Sequence, residues 1–147
     1  MSGEKTLDEV FSEACENGKE AKVKAAIVLG VDVNTKDAFD QTGLILATWN
    51  QHENVVKILL SHPDIDINGK DCIGDFPLWC AAYHGLTSVV AKLGKVPLLR
   101  GVNDRGGDGW TPLIVSTSQG RKSKQTTVGK GPIQNIQSFG FQIYNFF

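Results

Sequence analysis

DCIGDFPLWCAAYHGLTSVVAKL, residues 71–93, predicts a turn followed by two short helices. Asp71 and Gly74 are typical turn residues, because an Asp side chain caps nearby backbone and glycine tolerates positive φ. Pro77 suits a first helical position, and Gly85 suits the residue that follows a helix end. Apolar residues recur at helical spacing in both segments. Helices this short cannot bury their apolar faces alone, so the unit needs neighbours of its own kind.

The same unit recurs along the chain. Thr42 lies 34 positions before Phe76, and Thr111 lies 35 positions after it. Three asparagines close similar exits of the V-N or I-N type, namely Asn34, Asn68 and Asn103. Self-similarity at about 33 residues is typical of helical repeat proteins. The pattern resembles the ankyrin repeat, D-x-x-G-x-T-P-L-H-x-A-A-x-x-G-H, followed by a V-V-x-L-L helix and a G-A-D-V-N exit.

This resemblance covers Leu7 to Gly120 and implies an all-α fold, an ankyrin-repeat solenoid of helix-turn-helix repeats with β-hairpin-like loops. Residues 1–120 would form the repeat domain. Its repeats would span 7–34 as an N-terminal cap, 37–68, 71–103 and, in part, 106–120. Residues 121–147 depart from the pattern and are expected to form a poorly ordered tail.

Three interpretations of the tail are open. It covers the last repeat, it is a disordered sticky tail, or it replaces a normal repeat that has been lost. The second and third together are favoured. Four of the seven phenylalanines lie in the last nine residues. An aromatic end of low charge is prone to aggregation.

Four residues depart from the repeat pattern. Gly43 stands where Pro is usual, which costs ordering entropy. Gln51 replaces the helix-ending Gly and predicts a strained or reshaped turn. Phe76 replaces the capping Thr, and a missing cap costs about 1 kcal/mol. Trp79 occupies the His position, where we expect half-buried packing.

Composition limits the function classes. Apolar residues make up 41% and charged residues 21% of 147, which is ordinary for a soluble protein. There is no run of eighteen apolar residues, so no membrane span is expected. Of the three cysteines, Cys15 and Cys80 are predicted to be buried thiols. The free thiols favour a reducing compartment, the cytoplasm with the nucleus as an alternative.

The charge is unevenly distributed. Residues 1–120 have a net charge of −5 and residues 121–147 have +4. The acidic repeat body argues against nucleic-acid binding, because a phosphate backbone requires a basic surface. Arg121, Lys122 and Lys124 form a small basic cluster, which we interpret as a solvated linker rather than a nuclear-import or nucleic-acid contact.

The sequence gives little support for catalysis, so we predict no enzyme activity, cofactor, metal or small-molecule substrate. No serine lies in a nucleophile-elbow motif, and no C-x-x-C pair suggests zinc. The VGKG segment at 128–131 lacks the spacing of a phosphate-binding loop. His52 is expected to satisfy turn backbone groups, His62 to lie exposed at a helix end, and His84 to face the inner surface.

The resemblance implies protein–protein recognition through the concave face of the stack. Transferred position by position, the predicted partner-binding residues are Phe39, Gln41, Trp49, Asn50, Ile73, Asp75, Tyr83, His84, Asp108, Trp110, Ser118 and Gln119. Aromatic side chains at such positions carry much of the energy of protein interfaces. Some of them could instead pack between adjacent turns and stabilise the stack.

The partner's identity is not encoded in these residues. We expect an adaptor, scaffold or inhibitor that is a monomer unless the tail self-associates. The alternative is a truncated N-terminal fragment of a longer ankyrin-repeat protein, with no independent activity.

Overall fold

The computed structural model describes residues 3–96, 99, 104–107 and 109–112. Six helices lie in this part of the chain: α1 (Leu7–Glu16), α2 (Glu20–Val28), α3 (Gly43–Trp49), α4 (Glu53–Leu60), α5 (Pro77–Tyr83) and α6 (Thr87–Gly94). The described residues form no strand, only an isolated antiparallel bridge between Lys36 and Thr42. The predicted all-α class is therefore confirmed. The tail and most of the fourth repeat lie outside the described residues.

Each inner helix begins at the predicted place by a different device. At α1, Thr6 and Glu9 form a reciprocal capping box that satisfies two backbone donors. At α3, the Thr42 hydroxyl accepts from the Ile45 amide at 3.3 Å. At α5, Phe76 makes no side-chain cap, as predicted, but its ring is only 2% exposed. Burial of a phenylalanine contributes about 2 kcal/mol, which offsets the lost cap.

The inner helices end at residues with positive φ. Gly18 and Gly85 have φ of 68° and 66°, and Gln51 adopts 62° at the corresponding position. The predicted strain at Gln51 is confirmed, since a left-handed conformation costs a non-glycine residue roughly 1 kcal/mol.

The helix pairs stack into one continuous core. The inner helices α1, α3 and α5 pack side by side, and α2 packs against α4 behind them. The largest fully buried side chains of this core include Phe11, Leu44, Ile45, Leu59, Leu78 and Leu93. Cys15 and Cys80 are buried in it, as predicted. Leu99 packs against it in part, whereas Leu98 lies outside the described residues.

Gly43 is explained by this packing. A Cβ atom at Gly43 would lie 2.9 Å from both Cys15 Sγ and Phe11 Cε1. Real Cβ contacts are not that short, so α3 could not approach α1 as closely with another residue here. The glycine therefore does more than cost ordering entropy: it sets the distance between the first two repeats.

The exits of successive repeats are also joined. The Asn34 side-chain amide donates to the Asp64 carbonyl at 2.7 Å, and its oxygen accepts from the Asp66 amide at 2.7 Å. One asparagine thus satisfies two backbone groups of the next repeat, which fixes the register between them.

Candidate interaction surface

The first projecting turn is organised by Asp37. Its carboxylate accepts from the amides of Phe39 at 2.8 Å and Gln41 at 2.9 Å. Asp40 completes the turn with a φ of 59°. An Asp side chain that binds the backbone ahead of it is a common turn device. The result is that Phe39, at the tip, is 63% exposed and projects from a fixed backbone.

The second turn repeats this arrangement. The Asp71 carboxylate accepts from the amides of Ile73 and Asp75, and Gly74 takes the positive φ, as the sequence predicted. Ile73 is 64% exposed at the tip. Asp75, however, is 6% exposed, and its carboxylate accepts from the Gly107 amide at 2.7 Å. We therefore correct the expectation of a partner contact at Asp75, because this side chain links two repeats inside the stack.

Neighbouring turns are tied to each other and form a row of exposed apolar tips. The Cys72 amide donates to the Phe39 carbonyl at 3.0 Å, which couples the first two turns. The Trp79 indole donates to the Trp110 carbonyl at 2.9 Å, and the Trp110 side chain is 42% exposed. Trp110 closes the third turn, at the position that Gln41 and Asp75 hold in the first two, because its carbonyl accepts from the Gly106 amide at 2.9 Å. We call Phe39 and Ile73, together with Trp110, the turn-tip row.

Behind the turns, four rings form an aromatic cluster: Trp49 on α3, Trp79 and Tyr83 on α5, and His84 directly after α5. Trp49 stacks on Tyr83 with 5.2 Å between ring centroids, and Trp79 stacks on Tyr83 at 5.3 Å. Stacked pairs of this kind add stability beyond their buried area. Trp79 is 3% exposed rather than half-buried as predicted, whereas Trp49 remains 39% exposed. Trp79 is therefore the buried, structural part of the cluster, and Trp49 is its open ring.

His84 lies at the edge of this cluster. Its ring meets Trp49 edge-on at 4.8 Å, and its Nδ1 lies 3.2 Å from the Gln51 side-chain nitrogen. The Gln51 amide thus occupies Nδ1. Nε2 is buried without a hydrogen-bond partner among the described residues. Burial accordingly lowers the pKa of His84, since a charged ring would lose hydration without gaining an acceptor.

The stability of the chain should therefore fall in mild acid because of His84. A folded-state pKa below the unfolded value of about 6.5 means full stabilisation above that pH. The stabilisation is lost as the pH falls below it. His84→Asn should flatten this dependence, because Asn50 stands at the same position of α3 and binds its own helix carbonyl.

The measurement is the free energy of unfolding of both proteins in urea from pH 8 to pH 5. We expect the free energy of unfolding of His84→Asn, relative to that of the natural chain, to increase as the pH decreases. A difference that stays constant over this range would contradict the assignment.

The other predicted positions differ in accessibility. Gln41 is half-buried, and Asn50 is exposed while its amide donates to the Leu46 carbonyl. Tyr83 is half-buried within the cluster. Three predicted residues, Asp108, Ser118 and Gln119, lie outside the described part.

Two exposed apolar residues were missed by the sequence reasoning. Val28 and Leu29, at the end of α2, are 85% and 72% exposed. Their position off the apolar stripe of α2 was the available signal. They lie on the outer layer of helices rather than beside the turn tips.

The described part of the chain brings together no group of side chains suited to metal binding. Three or more potential metal ligands do not come together there. Burial raises the pKa of the Cys15 thiol to about 12 and that of Cys80 further, so both stay protonated. His52 Nε2 lies 2.9 Å from the Glu16 carbonyl, which fits its predicted role toward turn backbone. Among the described helices, none has the length and apolar character needed to cross a membrane.

Stacked helix pairs with projecting turns define a repeat solenoid that presents one continuous surface. A family model described as ankyrin repeats in three copies matches residues 11–97, which is more than half of the chain. The chain therefore belongs to the ankyrin-repeat family, as its sequence pattern indicated. Members of this family generally serve as protein–protein interaction modules and are typically not enzymes.

Curated relatives carry the same repeats. The putative ankyrin repeat protein YahD of Escherichia coli (strain K12) is 34% identical over 110 residues, which are 74% of this chain and 54% of that protein. Rabankyrin-5 of Homo sapiens is 38% identical and that of Mus musculus 36% identical over 64 residues. Those residues are 44% of this chain and 6% of rabankyrin-5. The chain thus spans a small part of rabankyrin-5 and about half of YahD.

Proposed function

We propose that this chain binds another protein through its concave side, using the turn-tip row and the open ring of Trp49. It acts as an adaptor, scaffold or inhibitor and not by catalysis. The observation that carries the proposal is the exposure of Trp49 at 39% in a cluster whose other tryptophan is buried. A ring needed only for packing would be covered like Trp79.

The physical support is preorganisation. An aspartate fixes the turn backbone around Phe39 and around Ile73, and the ring of Trp49 is stacked on Tyr83. Rigid aromatic anchors lose little conformational entropy on binding, so more of their contact energy contributes to affinity. Together these groups form an apolar surface on a fixed support, which suits a protein partner.

The repeat domain is proposed to extend over residues 1–120. The compartment we propose is the cytoplasm, because all three cysteines, including exposed Cys72, are free. The alternative function, a fragment of a longer repeat protein without its own activity, is compatible with the partial coverage of the relatives.

The test uses a random peptide library displayed on phage, selected on the full chain. Selected peptides are then titrated against the triple variant Phe39→Ala/Trp49→Ala/Ile73→Ala. We expect their affinity to fall tenfold or more, since truncation of interface anchors commonly costs more than 1 kcal/mol each.

The matched control is Val28→Ala/Leu29→Ala, which removes exposed apolar groups from the outer layer. We expect it to bind within twofold of the natural chain, and circular dichroism should show both variants to be folded. Equal binding by the triple variant, or a loss in the control alone, would overturn the proposal.

A further inference from the structure

The concave face changes character from the first repeat to the third. Glu16, Trp49 and Tyr83 each lie two residues before the positive-φ residue that ends their inner helix. They occupy the same register on α1, α3 and α5, and the last two are in ring contact at 5.2 Å. The row therefore begins with an acid and continues with two aromatic rings.

The acid at α1 is part of an open cleft of about 490 Å³ between that helix and the first turn. Its acidic lining residues are Asp8, Glu9, Glu13, Glu16 and Asp37. Lys36 also lines it. Leu46 of α3 also lines it, one helical turn before Trp49. The acidic cleft therefore extends to the helix that carries Trp49.

Several of these acids already have partners in the fold. Glu13 pairs with Lys5 at 2.6 Å, Glu9 belongs to the capping box, and Asp37 holds its turn. Asp8 and Glu16 have no cation within ion-pair distance in the described part of the chain. Their charge is available to a ligand.

Glu16 is also unfavourable for its own helix. It is the last residue of α1, and the last turn of that helix has no basic residue. A negative charge at a helix C-terminus opposes the helix dipole. The carboxylate of Glu16 therefore does not serve to stabilise α1, which distinguishes it from the capping acids.

We propose that the partner presents an extended segment with a lysine or arginine about three residues from a large apolar side chain. The base lies against Glu16, and the apolar side chain packs on Trp49. Asp8 adds negative charge to the same cleft, about 12 Å further along α1. The spacing follows from geometry, because packed helices are about 10 Å apart and an extended chain advances about 3.3 Å per residue. This inference rests on the proposed function and specifies the chemistry of its partner.

The first test is the composition of the selected phage peptides whose binding requires Trp49. We expect enrichment of Lys or Arg three residues from Trp, Phe or Leu. If Trp49-dependent peptides show no basic preference, this inference is overturned while the proposed function stands. If no Trp49-dependent peptide is obtained, both are contradicted.

The second test is Glu16→Gln, titrated with one selected basic peptide at low ionic strength. We expect about a threefold to fivefold loss of affinity, as for one exposed ion pair, and a slightly larger loss for Asp8→Asn/Glu16→Gln. The loss should shrink as salt is added, because surface charges are screened. Unchanged affinity in both variants would overturn the inference.

The matched control is Asp64→Asn, which removes one acid from the loop after α4. It should bind within twofold of the natural chain. Thermal unfolding provides the structural control: Glu16→Gln should leave the melting temperature unchanged or raise it. A lowered melting temperature with weaker binding would instead assign Glu16 to the fold and overturn its role in recognition.

Discussion

Trp79→Ala is expected to lower the free energy of unfolding by about 3–5 kcal/mol, the range for large aromatic truncations in a core. Trp79 is 3% exposed and stacks on Tyr83, so its loss leaves a cavity between α3 and α5. Its indole also holds the carbonyl of Trp110, so the variant frees the third turn as well. Urea unfolding followed by far-ultraviolet circular dichroism measures the change.

Two variants separate these contributions. Trp79→Phe keeps a ring in the stack but lacks the N–H donor, and we expect a loss of about 1–2 kcal/mol. Trp110→Ala keeps the accepting carbonyl and removes an exposed side chain, so its effect should be below about 1 kcal/mol. If Trp79→Ala lowered the free energy of unfolding no more than Trp110→Ala does, Trp79 would not have the structural role assigned to it in the aromatic cluster.

Gly43→Pro is expected to destabilise the chain by about 2–3 kcal/mol, although proline is the usual family residue at this position. Proline suits a first helical position, and Thr42 has the extended backbone that must precede it. The added ring would nevertheless enter the space of Cys15 and Phe11, 2.9 Å from a Cβ atom. Overpacking of this kind forces apart the elements involved.

A double-mutant cycle locates the cause. Cys15→Ala removes the sulfur that a proline at position 43 would meet. The loss in free energy of unfolding in Cys15→Ala/Gly43→Pro should therefore be smaller than the sum of the losses in the two single variants. Strict additivity, or a stabilising effect of Gly43→Pro alone, would contradict the packing explanation.

Much of the fold could be predicted because each repeat is specified locally. Asp71 and Gly74 define a turn by their own chemistry, and Pro77 and Gly85 delimit a helix by theirs. None of these inferences needs a distant contact. The same holds for Thr42, whose hydroxyl caps the helix that follows it.

The residues that sequence reasoning misjudged depend on the adjacent repeat. Asp75 looks like a variable turn residue until its bond to Gly107, 32 positions later, is seen. Gly43 looks like a weak helix start until α1 is packed against it. Trp79 looks half-buried until Tyr83 and the third turn cover it. A helix-start pattern carries no information on the distance to the next helix.

The candidate surface was predicted in part for the same reason. The exposure of Phe39 and Ile73 follows from the turn in which each lies, so the repeat pattern could predict it. The cluster around Trp49 is an arrangement across two repeats, and the unpartnered nitrogen of His84 depends on that arrangement. Its effect on the pKa could not be predicted from the sequence.

The most direct test of binding through the concave face is a ¹H–¹⁵N correlation spectrum of the full chain, titrated with one Trp49-dependent peptide. We predict the largest shift changes at the amides of Trp49 and Tyr83 and at the indole of Trp79, with Leu29 unchanged. Changes centred on the outer helices α2, α4 and α6, with the aromatic cluster unaffected, would contradict binding through this face.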